Sequence, residues 1–182
     1  MHSIELLPDA ATDRAVRGVW RSLADEGLPS QSAHRHPTNR PHLTLATAET
    51  IPPEARTALA EALAALPLPL HLTGLLRFSG RVNVLAWAVR PDAALLELHE
   101  TVWRILRESH GGGDRSNPLL SPARWVPHIT LGRGRGAVWP GPDGRGGPPG
   151  APRPGGPPGG GGAAPAHDTP SPTPPGIGPG AP

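Results

Sequence analysis

The stretch that decides the fold occurs twice, as PHLTL at residues 41–45 and as PHITL at residues 127–131. In an extended strand, residues i and i+2 point to the same side of the sheet. Each copy therefore predicts a strand that carries His and Thr on one face. The two aliphatic residues of each copy lie on the other face, which is typical of a half-buried strand above a core.

An amphipathic helix and a loop precede each copy. The helices share the pattern WRSL at residues 20–23 and WRIL at residues 103–106, and the Trp precedes the His by 22 and by 25 residues. A repeated helix–loop–strand unit indicates an internal duplication, and such units tend to pack as a pseudo-twofold pair. We therefore predict an α+β fold with two pseudo-twofold-related lobes of antiparallel sheet, with outer helices, around a central cleft.

Two such lobes would bring two imidazoles and two hydroxyls to one cleft. His42 and His128 are the candidate catalytic pair. The protonated and neutral forms of an imidazole with a pKa near 6.5 are both populated at neutral pH, so one ring can donate a proton and the other can accept one. Thr44 and Thr130 are candidate substrate-binding residues that hold the non-bridging oxygens of a phosphate. The alternative is that the histidines are structural and that the threonines reflect only the preference of Thr for strands.

The paired His-x-Thr motifs resemble the 2H phosphoesterase superfamily, in particular its bacterial 2′-5′ RNA ligase and RNA 2′,3′-cyclic phosphodiesterase branch. The second motif continues as WVPHITLGR at residues 125–133, with an Arg five residues after the His, and Asn39 and Arg40 lead into the first motif. The resemblance covers residues 1 to about 135. It implies that Arg133 binds substrate phosphate, unless Arg133 instead begins the C-terminal tail.

The resemblance implies a metal-independent phosphoesterase without a cofactor, which opens 2′,3′-cyclic phosphates of RNA ends or small nucleotides to 2′-phosphates. The other activity that the resemblance implies is the related 2′-5′ ligation run in reverse. By the same analogy, His42 is the acid for the leaving 3′ oxygen and His128 is the base that activates water. The alternative from another class is a catalytically impaired remnant or RNA-end-binding module that lacks the C-terminal part of the second lobe.

Other histidines and tryptophans have weaker patterns. A third His-x-Thr begins at His71, but it lacks the preceding Pro and the upstream helix, so we interpret it as a surface feature. The pair His34 and His36 has neither Cys nor a carboxylate in register, so we predict no metal site there. Trp20 and Trp103 fit helix positions that face a core, and Trp125 either stacks on a base or packs internally. We predict that His99, on the inner stripe of its helix, is a packed boundary residue.

Composition divides the chain into two parts. Of the last 51 residues, 32 are Gly or Pro. This composition leaves too few apolar groups to offset the entropy of ordering the chain. We predict a 2H phosphoesterase-like domain over residues 1–133 and a Gly/Pro-rich disordered tail over residues 134–182. Proteins similar to this one usually continue with a helix and strands, so we expect the second lobe to be incomplete; a shifted reading frame would produce such a tail.

Charge and residue usage exclude several classes. Residues 1–131 hold 13 Arg against 13 Asp and Glu, and the chain has no Lys, so a broad surface for DNA-sequence recognition is not indicated. The absence of Cys excludes disulfides, thiolate metal sites and Cys nucleophiles. Glu5 and Asp9 interrupt the apolar run of a signal peptide, and no apolar stretch is long enough to span a membrane. We therefore expect a cytoplasmic monomer.

Overall fold

A computed structural model of the chain describes residues 1–36, 39–109 and 117–140. The described residues form five strands and three α-helices. The strands are β1 (His2–Leu6), β2 (Leu43–Ala48), β3 (Leu72–Phe78), β4 (Asn83–Val89) and β5 (His128–Gly134). The helices are α1 (Ala10–Asp25), α2 (Pro53–Leu63) and α3 (Ala93–Ser109), with short 3-10 helices at Gln31–Ala33 and Pro118–Leu120.

The strands form one antiparallel sheet in the order β1-β2-β5-β4-β3. The predicted α+β class with an antiparallel sheet is therefore confirmed. β2 and β5 pair at Leu43 and Ile129, the residues that follow the two motif histidines. The two predicted lobes are the halves of this sheet on either side of that pair, and a pseudo-twofold axis would pass through it. The expected incompleteness of the second lobe concerns chain beyond residue 140, outside the described residues.

The helices cover one face of the sheet. α1 packs against β5 and α3 packs against β2, so each of these helices covers a strand of the other half. The aliphatic motif residues are buried in the same core as the helix stripes. The opposite face of both central strands, which carries the motif His and Thr, is therefore left open as a cleft. The buried stripes are Val16, Val19, Trp20 and Leu23 on α1, and Leu95, Leu98, Val102 and Leu106 on α3.

A bulge recurs directly after the Thr of both motifs. In the first, Glu5 pairs with Thr44 and Ile4 with Ala46, so that Leu45 is passed over. In the second, the partners of β4 step from Thr130 to Gly132, so that Leu131 is passed over. A bulge shifts the alternation of faces by one residue. The next open-face residues are therefore Thr47 in β2 and Arg133 in β5, and neither is buried.

The loop after α1 crosses directly over β5. A Cβ at Gly132 would lie 2.1 Å from the Pro29 carbonyl oxygen, so this close approach requires glycine. The Trp139 indole N–H donates to the same carbonyl at 3.1 Å. These contacts hold the chain that enters the 3-10 helix at Gln31–Ala33, which forms a wall of the cleft.

Ordered packing continues past the predicted domain boundary at residue 133, which falls inside β5. Ala137 and Trp139 are buried in the core, and the Asn83 side-chain amide donates to the Ala137 carbonyl at 2.9 Å. The Gly/Pro-rich composition of this region gave no indication that a large apolar residue, Trp139, packs into the core. The predicted tail from residue 141 onward lies outside the described residues. None of the described helices combines the length and apolar character needed to cross a bilayer.

Candidate active site

His42 and His128 have the same backbone contact. The Nδ1–H of His42 donates to the Arg40 carbonyl and the Nδ1–H of His128 donates to the Val126 carbonyl, each at 2.7 Å. In both cases the carbonyl lies two residues earlier, across the motif proline. Because a carbonyl only accepts, Nδ1 carries the proton, and Nε2 of each ring remains for proton transfer.

The open face of the central strands borders a cleft of about 760 Å³. Its lining includes four of the five predicted site residues, His42, Thr44, Thr130 and Arg133. His128, the fifth, does not line the cleft, although its charge interacts with that of His42. The other lining residues are Glu5, Ser30, Gln31, Ala33, His34, His36 and Asn39.

The surroundings of the two catalytic candidates differ. Burial lowers the pKa of His128 below its ordinary value of 6.5, and the positive charge of His42 lowers it further. The Phe78 ring packs on His128, with ring centroids 4.8 Å apart. His42 instead has a carboxylate beside it, since its Nε2 lies 3.8 Å from Glu5 Oε1. Of the two rings, only that of His42 has a carboxylate beside its Nε2 among the residues that the structure describes.

The motif threonines are held through their backbone from the opposite half of the fold. The Trp20 indole N–H donates to the Thr130 carbonyl at 3.1 Å, and the Trp125 indole N–H donates to the Thr44 carbonyl at 3.0 Å. Trp125 is buried and stacks on His99 at 3.8 Å between ring centroids, so it packs internally and does not stack on a base.

Arg133 is exposed on the face of β5 that carries Thr130, because the bulge at Leu131 turns it there. No carboxylate lies within 4 Å of its guanidinium among the residues that the structure describes. Its charge is therefore available to an anion in the cleft. The alternative in which Arg133 begins the tail does not fit the structure, because β5 continues to Gly134.

Several sequence hypotheses can be placed. His71 lies outside the cleft, where its Nδ1 contacts Asp92 Oδ2 at 2.8 Å. His34 and His36 line the cleft, but within the described part of the chain no three His, Cys, Asp or Glu side chains are grouped to hold a metal ion. Trp103 is only half-buried and is not a core residue.

Burial also corrects the prediction for His99, which is 1% exposed and lies in the interior rather than at its boundary. Its Nε2 contacts the Leu120 carbonyl at 3.0 Å.

Sequence reasoning missed Glu5 and Phe78, which distinguish the two histidines. The signal for Glu5 was a charge between the apolar residues Ile4 and Leu6 of the first strand. Its position opposite Thr44 depends on strand register, which the sequence does not display. Phe78 is the single Phe of the chain, and nothing in its own strand connects it to His128.

A family model described as the 2′-5′ RNA ligase superfamily matches residues 8–140. The chain therefore belongs to this superfamily, and the resemblance to 2H phosphoesterases is confirmed. Membership supports the general class of a phosphoesterase that acts on RNA ends. No curated protein matches the chain. Among solved structures, Kluyveromyces marxianus Usb1 with uridine monophosphate is similar at 16% identity and a TM-score of 0.41, covering 73% of this chain and 70% of that one.

Proposed function

We propose that the protein opens 2′,3′-cyclic phosphates of RNA ends or small nucleotides to 2′-phosphomonoesters by acid–base catalysis between two histidines. The observation that carries the proposal is the matched geometry of His42 and His128, each with Nδ1 held by the carbonyl two residues earlier. Both rings thus keep Nε2 free at one strand junction.

The reaction needs one proton removed and one proton donated. His128 Nε2 takes a proton from water as the water oxygen bonds to phosphorus. The bond between phosphorus and the 3′ oxygen breaks, and His42 Nε2 donates a proton to that oxygen. The products are a 2′-phosphate and a free 3′ hydroxyl, so atoms and charge balance without a further reactant.

The differing surroundings support this division of roles. A lowered pKa keeps the half-buried His128 neutral at pH 7, which is the state required of a base. The Glu5 carboxylate, 3.8 Å from His42 Nε2, would stabilise the charged imidazolium that acts as the acid.

The remaining site residues would stabilise the anionic transition state. The hydroxyls of Thr44 and Thr130 lie on the open face and can donate to the non-bridging oxygens. Arg133 adds a positive charge on the same face, and its planar guanidinium suits phosphate.

Turnover of a nucleoside 2′,3′-cyclic phosphate tests the proposal, with the 2′-phosphate identified as product. His42→Ala and His128→Ala should each lower kcat by about 10²- to 10⁴-fold, the usual contribution of a positioned proton transfer. The double variant should be little worse than the worse single variant, because residues that act as a unit are not additive.

His71→Ala is the matched control, since it removes the third His-x-Thr histidine outside the cleft and should leave kcat unchanged. A His71 variant as inactive as the others, or a fully active His42 variant, would contradict the site. If the wild-type protein binds RNA ends without turnover, the alternative of an RNA-end-binding module is supported instead.

A further inference from the structure

A second concave surface lies beside the first motif. It has a volume of about 470 Å³ and three arginines, Arg14, Arg17 and Arg40, line it together with Asp13. We call these four residues and the space between them the arginine groove. Leu7, Pro8, Ala10 and Pro41 complete its lining.

The charges of the arginine groove are only partly balanced. Arg17 Nε lies 2.7 Å from Asp13 Oδ2, and its guanidinium carbon lies 5.7 Å from the centre of the Trp20 ring. Arg14 and Arg40 are exposed, and neither has a carboxylate within 4 Å in the parts of the chain that the structure describes. Arg14 acts on Asp9 only as a weak influence that lowers the pKa of that carboxyl, which is set mainly by hydrogen bonds from Thr12.

The arginine groove adjoins the catalytic cleft on the His42 side. A small hollow lined by Arg40, His42 and Thr130 lies between the two. Arg40 lines both the arginine groove and the small hollow, and its carbonyl accepts from His42 Nδ1–H at 2.7 Å. A ligand that extends from the cleft past His42 therefore meets Arg40 first.

We propose that the arginine groove binds the phosphodiester on the 5′ side of the nucleotide whose cyclic phosphate is opened. This inference rests on the proposed function, in which His42 donates its proton to the 3′ oxygen of the terminal ribose. The terminal ribose must then lie beside His42, and its 5′ oxygen carries the chain away from the cleft. The next phosphate leaves on the side of Arg40, where guanidinium groups can bind its oxygens.

The consequence is a preference for RNA ends over mononucleotides. Two substrates distinguish the contribution of the arginine groove from that of the catalytic cleft. One is a nucleoside 2′,3′-cyclic phosphate, and the other is an oligoribonucleotide that ends in a 2′,3′-cyclic phosphate. Arg14→Glu should lower kcat/KM for the oligoribonucleotide by about tenfold at low salt, as expected when a phosphate contact is lost and reversed. Its turnover of the mononucleotide should be unchanged, because Arg14 does not line the cleft.

Salt and a matched variant sharpen the test. The slope of log kcat/KM against log salt for the oligoribonucleotide should be shallower by about 0.7 in Arg14→Gln, the value for one phosphate contact on a single strand. Arg104→Glu is the charge-matched control, since Arg104 is 59% exposed on α3 and lines neither surface. Equal losses on both substrates, or equal losses in the Arg14 and Arg104 variants, would overturn the proposal.

A binding measurement distinguishes failure of the groove proposal from failure of the proposed function. Fluorescence anisotropy of a labelled oligoribonucleotide with a 2′-phosphate end requires no turnover. If the wild-type protein is inactive, weaker binding by Arg14→Glu than by Arg104→Glu still supports the groove. Equal binding by the two variants rejects the groove whatever the catalytic result.

Discussion

At the scale of single residues, the site is symmetric in its backbone contacts and asymmetric in its side chains. His42 and His128 each donate Nδ1–H to the carbonyl two residues earlier. Glu5 then adds a carboxylate beside His42, while the Phe78 ring packs on His128. A duplicated pair of residues has thereby acquired different surroundings, which the proposed acid and base roles require.

Glu5→Gln tests whether this carboxylate supports the proton donor. We expect kcat for a cyclic mononucleotide to fall by about tenfold, because the imidazolium of His42 loses its anionic neighbour. KM should stay the same or fall, since a negative charge that repels phosphate has left the cleft.

Steady-state kinetics measures the changes in kcat and KM, and a thermal melt checks that the variant is still folded. Glu61→Gln, on the distant helix α2, is the control for loss of one carboxylate. A higher KM with unchanged kcat would contradict the role of Glu5.

At the scale of elements, hydrogen bonds from two indole groups connect the two halves of the fold. Trp20 and Trp125 donate to the carbonyls of Thr130 and Thr44 respectively. These bonds hold the backbone of both threonines, whose hydroxyls face the cleft. By contrast, the buried Trp87 indole N–H has no hydrogen-bond partner among the described residues.

Trp125→Phe and Trp87→Phe form a matched pair that isolates this hydrogen bond. Both substitutions shrink a buried indole to a phenyl ring, but only the first leaves the Thr44 carbonyl without its donor. We expect Trp125→Phe to lower the free energy of unfolding by about 1–3 kcal/mol more than Trp87→Phe. Urea denaturation measures the difference, and equal losses would show that the indole bond contributes nothing.

The sequence predicted the elements better than their registers. Apolar spacing places α1 correctly, and its N-cap residue Asp9 accepts from the Thr12 N–H at 2.7 Å. The motif duplication brought His42 and Thr44 to one cleft with Thr130. The bulges at Leu45 and Leu131 were not predictable, because they depend on partner strands that are distant in sequence. The faces of Glu5 and Arg133 follow from that unseen pairing.

At the scale of the whole molecule, two buried or half-buried imidazoles lead us to expect that acid destabilises the fold. Burial lowers the pKa of His99, although hydrogen bonds with the Leu120 and Leu45 carbonyls oppose the effect. Burial also lowers the pKa of His128. In the unfolded chain both groups return to about 6.5.

The free energy of unfolding should therefore be level above about pH 6.5 and should fall as the pH drops below it. Below that pH the unfolded chain binds protons at these histidines more tightly than the folded protein does, and this favours unfolding. Urea denaturation at pH 7.5 and at pH 5.5 measures the loss. His99→Gln should reduce the decline, whereas His2→Gln, at the exposed start of β1, should leave it intact. A flat profile in the wild-type protein would contradict the role of these histidines.

The pairing of Leu43 with Ile129 at the centre of the sheet has a consequence for what the cleft can recognise. In the proposed ring opening, the transition state at phosphorus has a local twofold axis along the bond to the 2′ oxygen, which exchanges the two non-bridging oxygens and also exchanges the entering and leaving oxygens. A site with the same axis offers one hydroxyl to each non-bridging oxygen and one imidazole to each reacting oxygen. The reverse step, in which the 3′ hydroxyl attacks the 2′-phosphate and water leaves as the ring closes, would therefore use the same geometry with the two histidines exchanging proton states.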